Sequence, residues 1–183
     1  MVQRAILWRR LDCNGSDACR VRSTDSGWLI EGSAAFRSGN AIAALAYRVE
    51  IGADWTSRAA RISGFAGGRD IQMEIARGVG GWSVNGEYVP EVGGLVDIDL
   101  GFTPATNLNA IRRLDLDIGA TADTTAVWLD TDDWRIKPLV QTYRRIAPDR
   151  YAYASPAHGY HAELETDDFG MVTHYPELWR AVG

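Results

Sequence analysis

Lysine is nearly absent. Of nineteen basic residues Lys137 alone is a lysine, leaving eighteen arginines, and an imbalance spread through the whole chain reflects a GC-rich bacterial genome rather than a binding site. Acids outnumber bases 24 to 19, for a net charge of -5. Nucleic-acid binders usually carry a basic face, so this balance argues against a nucleic-acid partner. Lys137 precedes Pro138 rather than Ser or Thr, and the glycine-rich GFAGG and GGW stretches match neither a phosphate loop nor a dinucleotide fingerprint. Long apolar runs are missing too: nothing approaches the roughly 18 residues of a membrane-spanning helix. The run from Ala5 to Trp8 is too short for a signal-peptide core, so a cytoplasmic location and no transmembrane segment are expected.

Cysteine is limited to Cys13 and Cys19, in CNGSDAC, where Asn14, Gly15, Ser16 and Asp17 are turn formers. The pair could close a small loop, but in a reducing cytoplasm two thiols usually stay thiols, and a second Cys or His pair to complete a zinc site is lacking. The three histidines, His158, His161 and His174, form no His-Glu-x-x-His motif, and no G-x-S-x-G elbow occurs. No metal, no cofactor and no catalytic residue is therefore expected.

What is present in quantity is alternation. In ALAYRVEI, Leu45, Tyr47, Val49 and Ile51 share one face against Arg48 and Glu50; in DIQMEIA, Ile71, Met73 and Ile75 alternate with Asp70, Gln72 and Glu74. That pattern is a half-buried antiparallel strand. Further candidate strands cover 5–11, 19–23, 27–34, 57–65, 81–84, 124–129, 139–146, 150–154, 160–165 and 171–175. Turn formers separate them, most sharply Asn85-Gly86, which suits a type I′ hairpin. The class is mainly β. Helix signals are few: Thr103-Pro104 reads as N-cap and first helical position, and Leu108, Ile111 and Leu114 follow at helical spacing, predicting one short helix near 104–113. No linker divides the chain, so one domain over 1–183 is expected.

Two near-copies of one pattern, VDIDL at 96–100 and LDLDI at 114–118, carry the acids of most interest. Asp-x-Asp can hold a cation on nucleotide phosphates, or it can be the wet side of two strands, since side chains repeat every second residue. Arg112 and Arg113 lie between the pairs; if the chain doubles back they neutralise Asp97 and Asp99. That favours an Asp and Arg network, or a polar rim to a ligand mouth, over a metal site. The DTDD stretch at 130–133 lacks the glycine and glutamate of a calcium loop and reads as a solvated turn. His161, Glu163 and Glu165 fall on one water-facing side of a strand. Seven Trp and seven Tyr point elsewhere: rings with polar tips line both cores and apolar ligand cavities. Trp128, with apolar neighbours on both sides, is expected to be buried.

Several of these residues recur together in a known family. Gly81-Trp82 with Val84-Asn85-Gly86, the run from Asp97 through Asp99-Leu100-Gly101-Phe102-Thr103-Pro104-Ala105-Thr106-Asn107, then Ile111-Arg112-Arg113-Leu114, Pro138-Leu139 with Gln141 and Tyr143, and Gly170, Val172, Tyr175-Pro176 and Leu178-Trp179 together resemble the bacterial family of putative glycolipid-binding proteins. The resemblance spans the chain from Trp8 onward. It implies a spiral β-roll, a long antiparallel sheet rolled around a single α-helix, usually as a homodimer and similar to the half-barrels of bacterial lipoprotein carriers. Two departures stand out: Ala110 where the family tends to have Pro, and Glu177 where it tends to have Gly, which loosens the C-terminal turn.

Three functions follow. The first is a non-catalytic binder of a glycolipid or other amphipathic ligand, with contacts from Trp82, Asp97, Asp99, Thr103, Asn107, Arg112, Arg113, Tyr143, Tyr175 and Trp179. The second is an enzyme on a small polar or sugar-like substrate using Asp97, Asp99, Arg112 and Arg113 with Tyr143. The third is a structural module whose sheet edge makes a dimer.

Overall fold

A computed structural model describes residues 3–182. Alternating apolar residues bury one face when a sheet closes over them, and the described residues make fifteen strands: β1 (Gln3–Arg10), β2 (Gly15–Thr24), β3 (Gly27–Ser38), β4 (Ala41–Gly52), β5 (Ser57–Ala66), β6 (Arg69–Gly78), β7 (Gly81–Val84), β8 (Glu87–Tyr88), β9 (Asp97–Leu100), β10 (Thr121–Asp130), β11 (Arg135–Ala147), β12 (Arg150–Ser155), β13 (Tyr160–Thr166), β14 (Val172–Tyr175) and β15 (Trp179–Ala181). All belong to one sheet, ordered β8-β7-β6-β5-β4-β3-β2-β1-β15-β14-β13-β12-β11-β10-β9. Neighbours are antiparallel except β9, which joins β10 in parallel. The mainly β class and the rolled sheet are as expected. The alternating faces hold too: Leu45, Tyr47, Val49 and Ile51 are buried, as are Ile71, Met73 and Ile75.

The two edges of the sheet lie next to each other in sequence, and the roll brings β9 round against the start of β5. Ser57 N donates to Val96 O at 2.8 Å, and Ser57 Oγ accepts from Ile98 N at 3.0 Å. Trp82, fully buried, donates its indole N–H to Leu95 O at 2.7 Å and fills the same seam. Opposite, the buried Trp8 donates to Val172 O at 2.6 Å. Each indole thus buries a large ring without orphaning its one donor.

Inside the roll runs the only α-helix among the described residues, α1 (Asn107–Leu114), led in by a 3₁₀ turn at Pro104–Thr106. Thr103 caps that turn, its Oγ1 accepting from Ala105 N at 3.1 Å. The helix predicted at 104–113 is thus present with its cap, and every residue from Pro104 to Ile111 is buried. The helix ends at Asp115, whose φ of 42° places it in the left-handed region.

Four expectations need correction. LDLDI is not a strand: Leu114 closes the helix and residues 115–118 are irregular. In CNGSDAC the turn is shorter than expected, because β2 starts at Gly15; both cysteines are free thiols. Trp128 is only half-buried, although Val127 and Leu129 beside it are buried. In the DTDD turn Asp130 is buried rather than solvated, and Lys137 Nζ reaches Asp130 at 2.6 Å and Asp133 at 2.8 Å.

Candidate functional site

The segment from Asp97 to Asn107 builds one wall of a cavity, and nearly every residue in it has a local task. Gly101 leaves the end of β9 against Trp128: a Cβ there would lie 2.6 Å from the indole Nε1 and 2.8 Å from Leu129 O, so no larger residue fits without displacing them. Thr103 Oγ1 donates to Asp17 Oδ2 at 2.5 Å, and Tyr47 OH donates to the same oxygen at 2.8 Å, which ties the head of the helix to β2 and β4. Burial pushes the Asp17 carboxyl above the usual carboxylate range. Thr106 Oγ1 accepts from Leu100 N at 3.1 Å, and Asn107 Nδ2 donates to Tyr143 OH at 2.9 Å.

Between this wall and strands β10 to β15 lies a cavity of about 290 Å³. Asp99, Thr103, Pro104 and Asn107 face it from one side; Trp128, Leu139, Tyr153, Ser155, Tyr160, Tyr175, Leu178 and Trp179 form the others, with His158 at the rim. The rings interlock: Tyr153 meets Tyr143 edge-on at 5.1 Å and Tyr175 at 5.7 Å, and Trp128 meets His158 edge-on at 5.0 Å. Ser155 Oγ and His158 Nδ1 lie 3.2 Å apart, and Tyr160 OH donates to Pro176 O at 3.0 Å.

Among the described residues Asp99 is the only carboxyl in the lining, and no lysine or arginine lines the cavity. Gln141 uses both amide protons here, one to Asp99 Oδ2 at 2.6 Å and one to Tyr153 OH at 3.1 Å. That donation does not compensate for lost water. Burial, reinforced by the nearby Asp97 charge, pushes Asp99 up to about 6 against the donation from Gln141 and Thr106. Burial likewise raises the Tyr143, Tyr153 and Tyr175 hydroxyls above their ordinary range, so these tyrosines are neutral hydrogen-bonding groups.

Of the ten residues expected from the sequence, Asp99, Thr103, Asn107, Tyr175 and Trp179 line this cavity together. Tyr143 stands just behind Asn107. The other four are elsewhere. Trp82 is in the seam. Asp97 is gripped by Arg113 in two parallel bonds, Nε to Oδ1 at 2.9 Å and Nη2 to Oδ2 at 2.6 Å, with Thr124 Oγ1 donating to Oδ2 at 3.1 Å. Arg112 turns the other way, its guanidinium 5.1 Å from the ring centres of both Trp55 and Phe169. The Asp and Arg network therefore exists, but with one aspartate and one arginine of the four. Sequence reasoning missed Trp128, Tyr153, Ser155, His158 and Tyr160. The alternation in YAYAS was the available signal, since it puts Tyr151 and Tyr153 on one face. His161, Glu163 and Glu165 face water as expected.

A larger depression of about 890 Å³ opens on the outer face of β1 to β4, a furrow between long side chains rather than an enclosed hollow. Among the described residues no helix is long and apolar enough to cross a membrane.

A family model described as "Putative glycolipid-binding" matches residues 5–181. Among solved structures, the crystal structure of a DUF1089 family protein from Pseudomonas aeruginosa is similar, with a TM-score of 0.81 and 26% identity over 92% of each chain. No curated protein matches.

Proposed function

The chain belongs to the putative glycolipid-binding family, and on that premise we propose that it is a non-catalytic binder of a glycolipid or similar amphipathic ligand, whose polar head enters the cavity beside Asp99. One observation carries this reading. Asp99 sits in an aromatic cavity where burial disfavours its ionised form. A carboxyl kept in such a place is more economically explained by what it contacts than by folding. The cavity is too small for a lipid tail as well, so the tail lies outside it. Native mass spectrometry of freshly purified protein, paired with solvent extraction, tests the reading. A co-purifying amphipath supports it; protein that stays empty and binds none on incubation with candidate glycolipids removes it.

The same reading takes residues 1–183 as one binding domain, cytoplasmic, and acting as a homodimer. In support of the dimer, Leu7, Ala18, Ser33 and Ala46 form one exposed cross-strand row on the outer face, small enough for a second sheet to approach. Light scattering after gel filtration reports the mass directly. A catalytic reading through Asp97, Asp99, Arg112 and Arg113 as a unit has less support, because the two arginines diverge; Asp99 alone, near neutrality beside Gln141 and Tyr153, is what favours it. Turnover of a glycoside that is lost in Asp99→Asn would establish it.

A further inference from the structure

The charge inventory of the cavity narrows the ligand class. We propose that the head taken up beside Asp99 is an uncharged polyol ring of single-sugar size, its hydroxyls donating to the Asp99 carboxylate and its ring face lying on Trp128, and that anionic heads such as phosphate are rejected. This rests on the binding reading above.

Size comes first. About 290 Å³ is near the lower end of small-molecule pockets. At roughly 30 Å³ per water it has room for about ten water-sized groups. A six-membered ring with its hydroxyls fills most of that, and any further sugar would extend out through the open mouth.

Charge comes second. An anionic head would approach Asp99 with no cation in the lining to offset it. The nearest arginines are already engaged. Arg113 is held by Asp97, and Arg10, stacked 4.9 Å behind the Trp179 ring, is held by Asp12 in two bonds of 2.9 and 2.6 Å. His158 is exposed at the rim and partnered by Ser155.

Hydrogen-bond chemistry comes third. Gln141 and Thr106 donate to Asp99, and a carboxylate offers about four acceptor positions, so capacity remains for ligand hydroxyls. The half-buried Trp128 lines the cavity and keeps its indole N–H without a protein acceptor among the described residues. A site with a carboxylate acceptor, an indole donor and tyrosine hydroxyls that do both matches a polyol, whose hydroxyls donate and accept. An ammonium head needs acceptors alone. The exposed part of an indole face suits the C–H face of a sugar ring, as aromatic surfaces with polar edges do at interfaces.

The test compares three amphipaths of equal chain length below their micellar concentrations: octyl glucoside, octyl phosphate and octylammonium, by calorimetry at pH 7.5. The glucoside is expected to bind at least tenfold more tightly than the phosphate or the ammonium. Asp99→Asn is expected to bring the phosphate closer to the glucoside, and Trp128→Leu to weaken the glucoside about tenfold. Trp128→Phe, which retains a ring, is expected to recover part of that loss and guards against a variant that fails to fold. Equal or tighter binding of the phosphate or the ammonium overturns the neutral-head inference while leaving amphipath binding in place. Failure of all three to bind at millimolar concentration overturns both.

Discussion

Replacing Asp99 with asparagine is expected to stabilise the protein at neutral and alkaline pH and to leave it unchanged in acid. The carboxyl's proton affinity rises from an ordinary 3.8 to about 6 on folding, chiefly through burial. Each tenfold change in proton affinity corresponds to about 1.4 kcal/mol, so ionised Asp99 costs the folded state up to about 3 kcal/mol. The sign follows from linkage. Between roughly pH 4 and 6 the folded state holds this proton and the unfolded state does not, so the contribution of Asp99 is most favourable below 3.8 and is lost as pH rises through about 6. Asparagine never ionises, and its amide oxygen still accepts from Gln141. Urea unfolding of both proteins at pH 4, 5, 6, 7 and 8 therefore should give a stability difference near zero at pH 4 that grows to as much as 3 kcal/mol in favour of Asp99→Asn by pH 8. In thermal melts of a chain this size, each kcal/mol corresponds to about 2–4 °C. Taking the difference between the two proteins cancels Asp17, whose raised proton affinity is common to both. A difference independent of pH, or a variant less stable at pH 8, would show that the carboxylate is well solvated or well paired, and the case for the cavity would lose its main support.

The adjacent arginines of α1 separate by consequence. Arg113→Met leaves the buried Asp97 without its partner and is expected to cost about 3–5 kcal/mol, whereas Arg112→Met gives up stacking on Trp55 and Phe169 and is expected to cost about 1 kcal/mol or less; equal losses in chemical denaturation would contradict the geometry. Glu177 stands at the third position of a turn closed by Leu178 N donating to Tyr175 O at 3.0 Å, with φ at 64°. Glu177→Gly relieves that conformation and is expected to raise stability by about 1 kcal/mol. A lower denaturation midpoint would show that the glutamate side chain, not the backbone, decides the turn.

How much of this was legible in the residues follows from what a local pattern can encode. Alternation reports which side chains share a face, and it located nearly every strand because the buried face is continuous. It does not report whether a neighbour exists to pair with. VDIDL and LDLDI have the same pattern, yet only the first becomes a strand, because Ala126 to Leu129 runs alongside it, while the second begins as the last residue of the helix. The parallel pairing of β9 was illegible for the same reason: it depends on a crossover through the helix, not on any residue in the strand. The left-handed turn at Glu177 was half legible, since a glycine expected there by resemblance is what that φ asks for.

The site was legible as a set of polar residues on one stretch, but not as a division of roles within it. Asp97 and Asp99 are two residues apart on one strand with the same side chain. Asp97 meets a guanidinium that matches its charge and both its oxygens; Asp99 meets an amide and a hydroxyl, neutral donors that offset none of its charge. The first is neutralised and has no capacity left to offer a ligand. The second faces the cavity and carries a charge that no lysine or arginine in the lining balances among the described residues. The distinction arises because α1 presents Arg113 over Asp97 and then turns Arg112 toward Trp55 on the far side, a consequence of about 100° of rotation per helical residue. The functional candidate is therefore set by the phase of a buried helix against a short parallel strand, which makes the junction at Gly101 to Pro104, where that phase is fixed by the Thr103 cap and its bond to Asp17, as consequential for binding as the residues that line the cavity.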